Sequence, residues 1–376
     1  MEITDIDVVP ISMERPSSYE MASGTIESND SIIVRLHTDE DLTGLGETSI
    51  GLPELDTTFE TLAFTLDRKV KPLLIGEEAT NLERLLGLID DLSWNTGEFT
   101  FAKAAIDIAV YDLLGKRADL PVYALLGGRV RDTNGVSRSI GRGDSDEVAD
   151  KAIKLKEQGY KLLTVKTGFS PGEDLERVAA VRDAVGPDMP IEVDPNQGYS
   201  VPEAIDVLGE MEREYDVVNA EQPTVWWDFE GLARVNRNVD MTITADESIR
   251  RPHDVGRLAR KEAADQVTLK IFEQGGLYTA QRIVETAASH NIACNSGSLH
   301  PFGVGTAAIR HLCVAKQNIT HEIGYGTPYE RFPDDIIDER LEMRDGEVEP
   351  PEGPGLGVTL DEEKISEYRT SIEFAV

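Results

Sequence analysis

Five short apolar runs between residues 162 and 276 constrain the fold of this chain more than any other feature. Each run has the length of a buried β-strand and ends in a charged residue. In chain order, the residues that end the runs are Lys166, Asp194, Glu221, Asp246 and Lys270. We interpret the runs as consecutive strands whose last residues carry the chemistry of the protein.

The spacing between these residues is nearly constant. They follow one another at intervals of 28, 27, 25 and 24 residues, which is the length of one strand, one loop and one helix. Helix-like segments lie between or after the runs, over residues 173–185, 201–212, 252–261 and 278–289. This alternation predicts a parallel sheet, and in an α/β barrel the carboxyl ends of such strands form the active-site face.

The neighbouring sequence extends the alternation to eight strands. A first strand is predicted from Asn134 to Ile140, a seventh from Asn291 to Ser298 and an eighth from Ile319 to Gly324. The helix after the seventh strand is expected to begin at Gly303. We therefore predict an α/β fold in which residues 126–325 form a (β/α)8-type, modified TIM barrel.

The two ends of the chain predict an α+β capping domain. Residues 1–125 begin with a strand meander and continue, from about residue 60, with helices. The segment from Phe101 to Gly115 is apolar almost all round, which predicts a buried helix that ends at the glycine. The polar segment from Arg15 to Asp30 is predicted to be a long loop and a candidate lid. Residues 326–376 are expected to return to this domain.

The charge of the chain narrows the class of protein. Its formal net charge is −33, from 70 acidic and 37 basic residues. Such a surface repels nucleic acid and anionic membranes. It also predicts a halophilic protein, because high salt screens the self-repulsion; an acidic mesophilic enzyme is the alternative. No apolar run approaches the roughly 20 residues of a membrane span, and the first residues do not resemble a signal peptide, so we expect a cytoplasmic protein.

Cysteine and glycine patterns exclude two further kinds of site. Cys294 and Cys313 are the only cysteines, so the chain has neither a disulfide framework nor a Cys-x-x-Cys metal site. We expect both to behave as small apolar residues. The pair Gly44 and Gly46 lacks the third glycine of a dinucleotide-binding loop, so dinucleotide binding is rejected.

Three carboxylates predict a metal site. Asp194, Glu221 and Asp246 end three successive predicted strands. Carboxylates that converge on one face repel one another unless a cation lies among them. Oxygen ligands fit Mg²⁺ better than zinc, which favours histidine or cysteine. Each carboxylate alone is more often a solvated loop residue, but the three in register predict bound Mg²⁺.

Two lysines flank the predicted metal site. Lys166 and Lys270 end the second and sixth strands of the predicted barrel, so they would face each other across the cavity. A lone lysine at a strand end is usually a solvated charge. A partly desolvated lysine near a divalent cation has a lowered pKa and can act as a base. The pair therefore predicts two general acid/base catalysts.

In these residues the chain resembles the enolase superfamily and, within the mandelate racemase/muconate lactonizing enzyme family, the muconate lactonizing enzyme subgroup. Enolase-superfamily sites pair a lysine or histidine base with Mg²⁺. The resemblance rests on the order and spacing of segments that run through most of the chain: Ala105 to Lys116, Pro121 to Gly128, Lys166-Thr-Gly168, Asp194-Pro-Asn-Gln197, Glu221-Gln-Pro223, Asp246-Glu-Ser248, and Leu269-Lys270 with Gly275-Gly276.

The resemblance implies a role for each matching residue around the metal. Mg²⁺ would be ligated by Asp194, Glu221 and Asp246. Asn196 and Glu247 would support these ligands from behind. Residues 1–125 and the C-terminal segment would form the capping domain whose loops select the substrate.

The lysines match the family with two departures. Lys166 corresponds to the second lysine of the subgroup's Lys-x-Lys motif, and Lys270 to the lysine on the opposite face. Thr164 replaces the first lysine of the motif; it can donate a hydrogen bond but has no charge with which to lower the pKa of Lys166. The acidic residue that the subgroup carries after the seventh strand is replaced by Pro301, beside His300.

The leading functional hypothesis is an enzyme that removes the proton α to a carboxylate and forms an enediolate. The outcome would be cycloisomerisation, as in muconate cycloisomerase, or racemisation or epimerisation. An acid-sugar or hydroxy-acid dehydratase is the runner-up, and a non-catalytic barrel that binds metal or ligand is the alternative from another class.

The expected substrate is a small carboxylate, and Thr164, Ser298 and His300 are the candidate contacts to it. His300 could equally be an ordinary loop histidine or a relocated acid. The loops from Arg15 to Asp30 and from Ile50 to Leu55 are expected to determine specificity. A homo-oligomer is expected because members of the family commonly form one.

Overall fold

The chain begins with a three-stranded antiparallel sheet in the order β1-β2-β3. Its strands are β1 (Ile3–Met21), β2 (Gly24–Thr38) and β3 (Thr43–Ser49). The structure is a computed structural model that describes residues 1–21, 24–50, 57–93, 99–324 and 326–372. The strand meander predicted at the start of the chain is therefore present.

The long loop predicted from Arg15 to Asp30 is wrong for the described residues, because residues 15–21 lie in β1 and residues 24–30 lie in β2. Pairing continues as far as Met21 opposite Gly24. The sheet ladder is made of backbone groups, so polar side chains do not prevent pairing. A sequence with few apolar residues gives no alternation by which a strand could be detected. The second predicted loop, Ile50 to Leu55, falls almost entirely on residues outside the described ranges.

Helices follow the sheet, as predicted. They are α1 (Phe59–Phe64), which continues through a π-helical turn (Thr65–Val70) into α2 (Lys71–Leu74), then α3 (Leu82–Ser93), α4 (Thr100–Ala118) and α5 (Val122–Leu125). Helix α4 is buried along most of its length and packs on the sheet. A Cβ atom at Gly44 or Gly46 would collide with the backbone of α4. The glycine pair therefore serves close packing of strand and helix.

Gly115 does not end α4, contrary to the sequence prediction. The helix continues to Ala118 and is capped by Asp119, which has a left-handed φ of 54°. A Cβ atom at position 115 would lie 2.6 Å from the Cα atom of Gly355. The glycine is thus explained by the close passage of the C-terminal segment, which the local sequence could not reveal.

Eight parallel strands then form the barrel. They are β4 (Asn134–Ile140), β5 (Leu162–Lys166), β6 (Ile191–Asp194), β7 (Val217–Glu221), β8 (Thr242–Ala245), β9 (Gln266–Leu269), β10 (Ala293–Ser296) and β11 (Glu322–Ile323). Neighbours along the chain are neighbours in the sheet from β4 to β10, and β11 pairs with β4. The ring closes where the amide of Gly324 donates to the carbonyl oxygen of Ser296 at 2.7 Å.

The predicted strands exist, but the last two are shorter than expected. The first strand has the predicted bounds, whereas the seventh covers only Ala293–Ser296 and the eighth only Glu322–Ile323. The flanking residues still make backbone hydrogen bonds across the closure, such as the amide of Thr320 to the carbonyl oxygen of Cys294 at 2.7 Å. The apolar pattern therefore located both strands and overestimated their lengths.

Seven helices connect the strands on the outside of the barrel. They are α6 (Ser145–Glu157), α7 (Pro171–Val185), α8 (Val201–Tyr215), α9 (Phe229–Asn236), α10 (Pro252–Lys261), α11 (Leu277–Ser289) and α12 (Gly303–Ala315). Several begin with the local signals that favour a helix start. Asp144 and Glu147 form a capping box at α6, and Ser200 and Glu203 form one at α8; such reciprocal bonds satisfy amides that a helix start leaves unpaired.

The C-terminal segment contacts both parts of the fold. It contains a short 3-10 turn (Pro328–Glu330), β12 (Glu347–Val348) and α13 (Glu362–Tyr368). Strand β12 pairs antiparallel with the start of β4. Glu362 of α13 forms an ion pair with Arg35 of β2, with 2.7 Å between Oε2 and Nη2. These contacts agree with a return to the capping domain, although the predicted domain boundaries stay predictions.

Two predictions from the sequence concern membrane-spanning helices and the two cysteines. Within the described ranges, no helix has the length and apolar character needed to cross a membrane. Cys294 and Cys313 are both free thiols in the interior. Burial raises the pKa of Cys294 to about 12 and that of Cys313 to about 11. Such thiols stay protonated and are poor nucleophiles.

Candidate active site

A polar cavity lies where the barrel strands end, on the side facing the capping sheet. Its walls include nearly every residue that the sequence singled out: Thr164, Lys166, Asp194, Asn196, Glu221, Asp246, Lys270, Ser298 and His300. Glu247 adjoins it, since the side-chain amide of Asn196 donates to Glu247 Oε1 at 3.3 Å. The alternation of strands and helices has therefore brought together residues more than 100 positions apart.

Lys166 is fixed at the end of β5 by residues of the next strand and its loop. Its ammonium group contacts Asp194 Oδ2 and lies 2.7 Å from Asn196 Oδ1. The amide of Asn196 in turn donates to Asp194 Oδ1 at 2.9 Å. Asn196 has a left-handed φ of 42°, and this turn directs both its backbone amide and its side chain towards the aspartate and lysine.

Lys270 has its own carboxylate partner on the other side of the cavity. Its Nζ atom lies 2.6 Å from Asp246 Oδ2 and 3.8 Å from Glu273 Oε1. Burial alone would lower the pKa of Lys270, but Asp246, Glu273 and Glu247 together hold it well above its ordinary value. The sequence predicts a lowered pKa for a lysine near a divalent cation. The carboxylates around Lys270 by themselves have the opposite effect and raise its pKa. Two lysines pair with two different carboxylates.

The third carboxylate, Glu221, lies between these two pairs. Burial raises the pKa of Glu221 well above its ordinary value, and repulsion by Asp194 and Asp246 raises it further. Its Oε1 atom accepts a hydrogen bond from Thr268 Oγ1 at 2.8 Å. Burial, with Glu273 adding to it, also raises the pKa of Asp246 to about 6 although Lys270 opposes the shift. The cavity therefore holds more acidic groups than its two lysines can pair with.

The donor set of this cavity fits a hard divalent cation. In the described part of the chain, no three His, Cys, Asp or Glu side chains lie close enough together to ligate one ion as they stand. Ammonium groups lie against Asp194 and Asp246. The three candidates nevertheless supply only oxygen atoms and repel one another; Asp194 and Asp246 are buried, and Glu221 is partly buried. A cation such as Mg²⁺ removes that repulsion and prefers such ligands.

A polar layer beneath the cavity was missed in the sequence. Thr164 Oγ1 donates to Glu192 Oε1 at 2.5 Å, and Asn219 Nδ2 donates to Glu192 Oε2 at 3.3 Å. Burial, with Asp194 adding to it, raises the pKa of Glu192 to about 7. The signal was available, because alternate residues of a strand point to the same side. The residues two positions before Lys166, Asp194 and Glu221 therefore also face the barrel interior.

His300 lies in the cavity wall with its backbone held by the capping sheet. It has a left-handed φ of 56°, which is uncommon for a residue with a side chain. Its carbonyl oxygen accepts a hydrogen bond from Asn29 Nδ2 at 2.6 Å, and its amide donates to Ser298 Oγ at 3.0 Å. Ser49 of β3 also donates to the carbonyl oxygen of Leu299 at 2.7 Å. The capping sheet thus positions this wall of the cavity.

Arg331 also lines the cavity and was not predicted. It follows the 3-10 turn of the C-terminal segment and is only 7% exposed. No local pattern marks it, because it belongs to neither a strand nor a helix. Its place in the cavity wall depends on the path of the whole C-terminal segment.

Comparison with known protein families shows which family this chain resembles along both of its parts. The profile described as "Mandelate racemase / muconate lactonizing enzyme, N-terminal domain" matches residues 3–127. The profile described as "Enolase C-terminal domain-like" matches residues 147–364. Together the two profiles account for the capping sheet, its helices and most of the barrel.

Individual relatives extend over almost the whole chain. The N-succinyl-L-Arg/Lys racemase of Bacillus cereus is 30% identical over 371 residues, which is 98% of each chain. Its crystal structure superimposes with a TM-score of 0.93 at 29% identity and covers 99% of both chains.

Another relative is named for the epimerisation of dipeptides. The hydrophobic dipeptide epimerase of Enterococcus faecalis is 35% identical over 324 residues, 85% of this chain and 89% of its own. A crystal structure of the dipeptide epimerase from this species, with Mg and L-Leu-L-Tyr, has a TM-score of 0.89 at 30% identity and covers 96% of this chain and all of its own.

The muconate lactonizing enzyme of Pseudomonas fluorescens, crystallised with muconolactone, has a TM-score of 0.92 at 29% identity and covers 98% of this chain and 99% of its own. The relatives named here are isomerases in the broad sense of racemase, epimerase or lactonizing enzyme. The match of both domains and of the full-length relatives shows that this chain belongs to the mandelate racemase/muconate lactonizing enzyme family of the enolase superfamily.

Proposed function

We propose that this chain is an isomerase that removes the proton from the carbon α to a carboxylate and returns a proton to the opposite face of that carbon. It would act as a racemase or epimerase on a small substituted carboxylate. The observation that carries the proposal is the pair Lys166 and Lys270, which enter one cavity from different strands. Each lysine is held by its own aspartate, Asp194 or Asp246.

Opposite placement of two lysines suits exchange of configuration. A neutral amine on one face accepts the α-proton, and an ammonium group on the other face donates one, so protons balance over the turnover. For the mirror-image substrate the two lysines exchange roles. Acid/base groups of this kind each contribute roughly 10²–10⁴-fold to the rate.

The carboxylates would hold the metal. Asp194, Glu221 and Asp246 are the proposed ligands, with Asn196 and Glu247 fixing them from behind. The ion, when bound, supplies positive charge that stabilises the substrate carboxylate as negative charge develops on it. The remaining polar wall, including Thr164, Ser298 and His300, would orient the substrate and exclude water.

Deuterium exchange tests this proposal directly. The full chain is incubated in D₂O with Mg²⁺ and molar KCl, separately with each enantiomer of several N-acyl amino acids, and with dipeptides epimeric at one carbon. Loss of the α-proton signal by NMR, together with formation of the other configuration, is the expected result. Binding without exchange of any compound would instead indicate a non-catalytic barrel.

Cycloisomerisation of a muconate-type diacid is the second candidate. The similarity to a muconate lactonizing enzyme crystallised with muconolactone favours it. That reaction needs proton transfer by one lysine only, so it makes no use of the second as an acid/base. Conversion of muconate to a lactone, followed by the loss of diene absorbance, would identify it. Dehydration of sugar acids stays a further prediction that the same substrate panel can test.

The cellular location, the adaptation to salt and the oligomeric state of the enzyme are also proposals. We infer a cytoplasmic, halophilic homo-oligomer that binds neither nucleic acid nor membrane. The net charge of −33 supports the halophilic part and the expected lack of nucleic-acid binding. Light scattering in molar KCl would determine the number of chains per particle.

A further inference from the structure

Two buried polar side chains that do not line the cavity contact the loops that follow the two lysine-bearing strands. Asp174 lies in the first turn of α7, after the strand that ends at Lys166, and Gln274 lies between β9 and α11, shortly after Lys270. Both side chains are buried. Their hydrogen bonds show what each of them holds in place.

Asp174 accepts hydrogen bonds from the loop that begins directly after Lys166. Its Oδ2 atom accepts from the amide of Gly168 at 3.0 Å and from the amide of Phe169 at 3.2 Å. Its Oδ1 atom forms an ion pair with Arg177, three residues further along α7. The carboxylate thus fixes the path of the backbone two and three residues after the lysine.

The same carboxylate is connected to the loop after β6. Asp174 Oδ2 also accepts from the hydroxyl group of Tyr199 at 2.6 Å, and this tyrosine stands at the end of that loop. The two loops touch directly as well, because a Cβ atom at Gly168, which has a left-handed φ of 85°, would collide with the carbonyl oxygen of Pro195. Asp174 therefore joins the loop after Lys166 to the loop that carries the partners of its ammonium group.

Gln274 makes an equivalent set of contacts around Lys270. Its Oε1 atom accepts from the backbone amide of Lys270 at 3.1 Å. Its Nε2 atom donates to the carbonyl oxygens of Thr268 and Ile249, each at 3.1 Å. The side chain therefore connects the backbone at Lys270 to the loop after β8, and none of these partners is shared with Asp174.

Fixing the backbone matters for a lysine that transfers protons. Its ammonium group is carried on a flexible four-carbon stem, so the direction in which it approaches a substrate depends on where the stem begins. A misplacement of about 1 Å can cost on the order of 10²-fold in rate. Each lysine has such an anchor of its own.

We propose that Asp174 and Gln274 are positioning residues, and that each sets the orientation of one lysine independently of the other. Asp174 positions Lys166, and Gln274 positions Lys270. This inference rests on the proposed function, which assigns the two lysines to opposite enantiomers of the substrate. Disturbing one anchor therefore impairs proton removal from one enantiomer, whereas a merely structural role would impair both.

Exchange of the α-proton in D₂O separates these two roles. With Mg²⁺ and single enantiomers of an N-acyl amino acid, Asp174→Ala should slow by roughly 10- to 100-fold the exchange that Lys166→Ala abolishes, and should leave the other enantiomer nearly unchanged. Gln274→Met should have the reverse effect. Tyr199→Phe, which removes only the hydroxyl group, should act like Asp174→Ala but more weakly. Asp183→Ala, at an exposed position of α7, is the matched control.

A second measurement does not depend on catalysis. The full chain is methylated reductively with formaldehyde in chelator, and peptide mass spectrometry gives the rates at Lys166 and Lys270. A lysine released from its carboxylate partner is more accessible and loses its proton more readily. Asp174→Ala should therefore speed methylation of Lys166 relative to Lys270, and Gln274→Met should do the opposite.

The ratio between the two lysines decides the proposal. If the wild type exchanges a substrate, an exchange ratio that stays at the wild-type value in both anchor variants would overturn the inference. If the wild type exchanges none of the compounds, the proposed function is contradicted, and an unchanged methylation ratio would overturn the positioning roles separately. Tyr199→Phe replaces Asp174→Ala in both measurements if the alanine variant does not fold.

Discussion

Thr164 and Glu192 are joined by a hydrogen bond across neighbouring strands, with 2.5 Å between Oγ1 and Oε1. Thr164 occupies the position at which the resembling subgroup carries the first lysine of its Lys-x-Lys motif. In this chain the position therefore anchors a buried carboxylate below the cavity and adds no positive charge beside Lys166. The threonine that departs from the family motif thus has a hydrogen-bond partner in Glu192, and the pair can be tested by substitution.

Replacing the threonine should destabilise the barrel. Thr164→Val keeps the shape of the side chain but leaves Glu192 Oε1 without its donor, which should lower the free energy of unfolding by about 1–3 kcal/mol. Thr164→Ser keeps the hydroxyl and should cost less. Urea unfolding at pH 8 measures both. Equal stability of the two variants would show that the hydrogen bond contributes nothing.

The barrel and the residues of the candidate site at its strand ends could be predicted because they depend on local sequence. Buried parallel strands are short continuous apolar runs, and the first residue after such a run reaches the active-site face. Lys166, Asp194 and Glu221 each end a strand, and Asp246 and Lys270 directly follow one. All five line one cavity.

The rest could not be predicted because it depends on contacts between distant segments. Arg331 enters the cavity from a segment without regular periodicity, and Gly115 is explained only by the passage of Gly355. Residues 15–21 and 24–30 lie in two strands that pair through backbone groups, which leave no trace in the side-chain pattern. Glu192 is the exception: it was missed, although the two-residue period of a strand could have identified it.

Removing one proposed ligand should separate metal binding from folding. Glu221→Gln removes a buried acidic group whose ionised form is repelled by Asp194 and Asp246, so the variant should be at least as stable as the wild type in chelator at pH 8. With Mg²⁺ at 100 times the dissociation constant, the wild type should gain roughly 2.7 kcal/mol, and the variant should lose most of this gain. Thermal unfolding with and without Mg²⁺ measures both effects. Glu210→Gln, on the exposed side of α8, is the control. Equal stabilisation of Glu221→Gln and wild type by Mg²⁺ would argue against this ligand.

A buried glutamate at the contact between the capping sheet and the barrel should make the stability of the fold depend on pH. Glu47 of β3 accepts hydrogen bonds from the amides of Phe302 and Gly305, each at 2.7 Å. Burial nevertheless raises the pKa of Glu47 from 4.5 to about 7. A raised pKa means that the folded state binds the proton more tightly than the unfolded state, so stability falls as the pH rises from about 4.5 through 7.

Glu47→Gln should therefore flatten the dependence of stability on pH in that range. The difference between wild type and variant should change by roughly 3 kcal/mol at most between pH 4.5 and 8, from the linkage relation. The variant should also be less stable overall, because its amide nitrogen cannot accept from one of the two backbone amides. Chemical unfolding at several pH values measures the slope. Glu157→Gln, an exposed position, should reproduce the wild-type slope; the same slope in Glu47→Gln would contradict the assignment.

Salt should stabilise the whole fold. A net charge of −33 repels itself in dilute buffer, and the screening length falls from about 10 Å at 0.1 M to about 3 Å at 1 M salt. The melting temperature should rise from dilute to molar KCl, by roughly 2–4 °C or less for each kcal/mol recovered. KCl is preferred to sulfate, which also strengthens apolar burial. A flat or falling curve would remove the halophilic interpretation.

The two lysines should divide the proton transfers between them. In a racemase, Lys166→Ala should abolish α-proton exchange for one enantiomer and Lys270→Ala for the other, each by roughly 10²–10⁴-fold, whereas a cycloisomerase would depend on one lysine for proton transfer. Exchange that uses Lys270 as the base should also rise with pH, because only the neutral amine accepts a proton. NMR in D₂O with single enantiomers measures each rate, and Lys154→Ala, at an exposed position of α6, should leave both unchanged. If both cavity variants keep near wild-type rates on a confirmed substrate, neither lysine is the base, and His300 becomes the residue to substitute next.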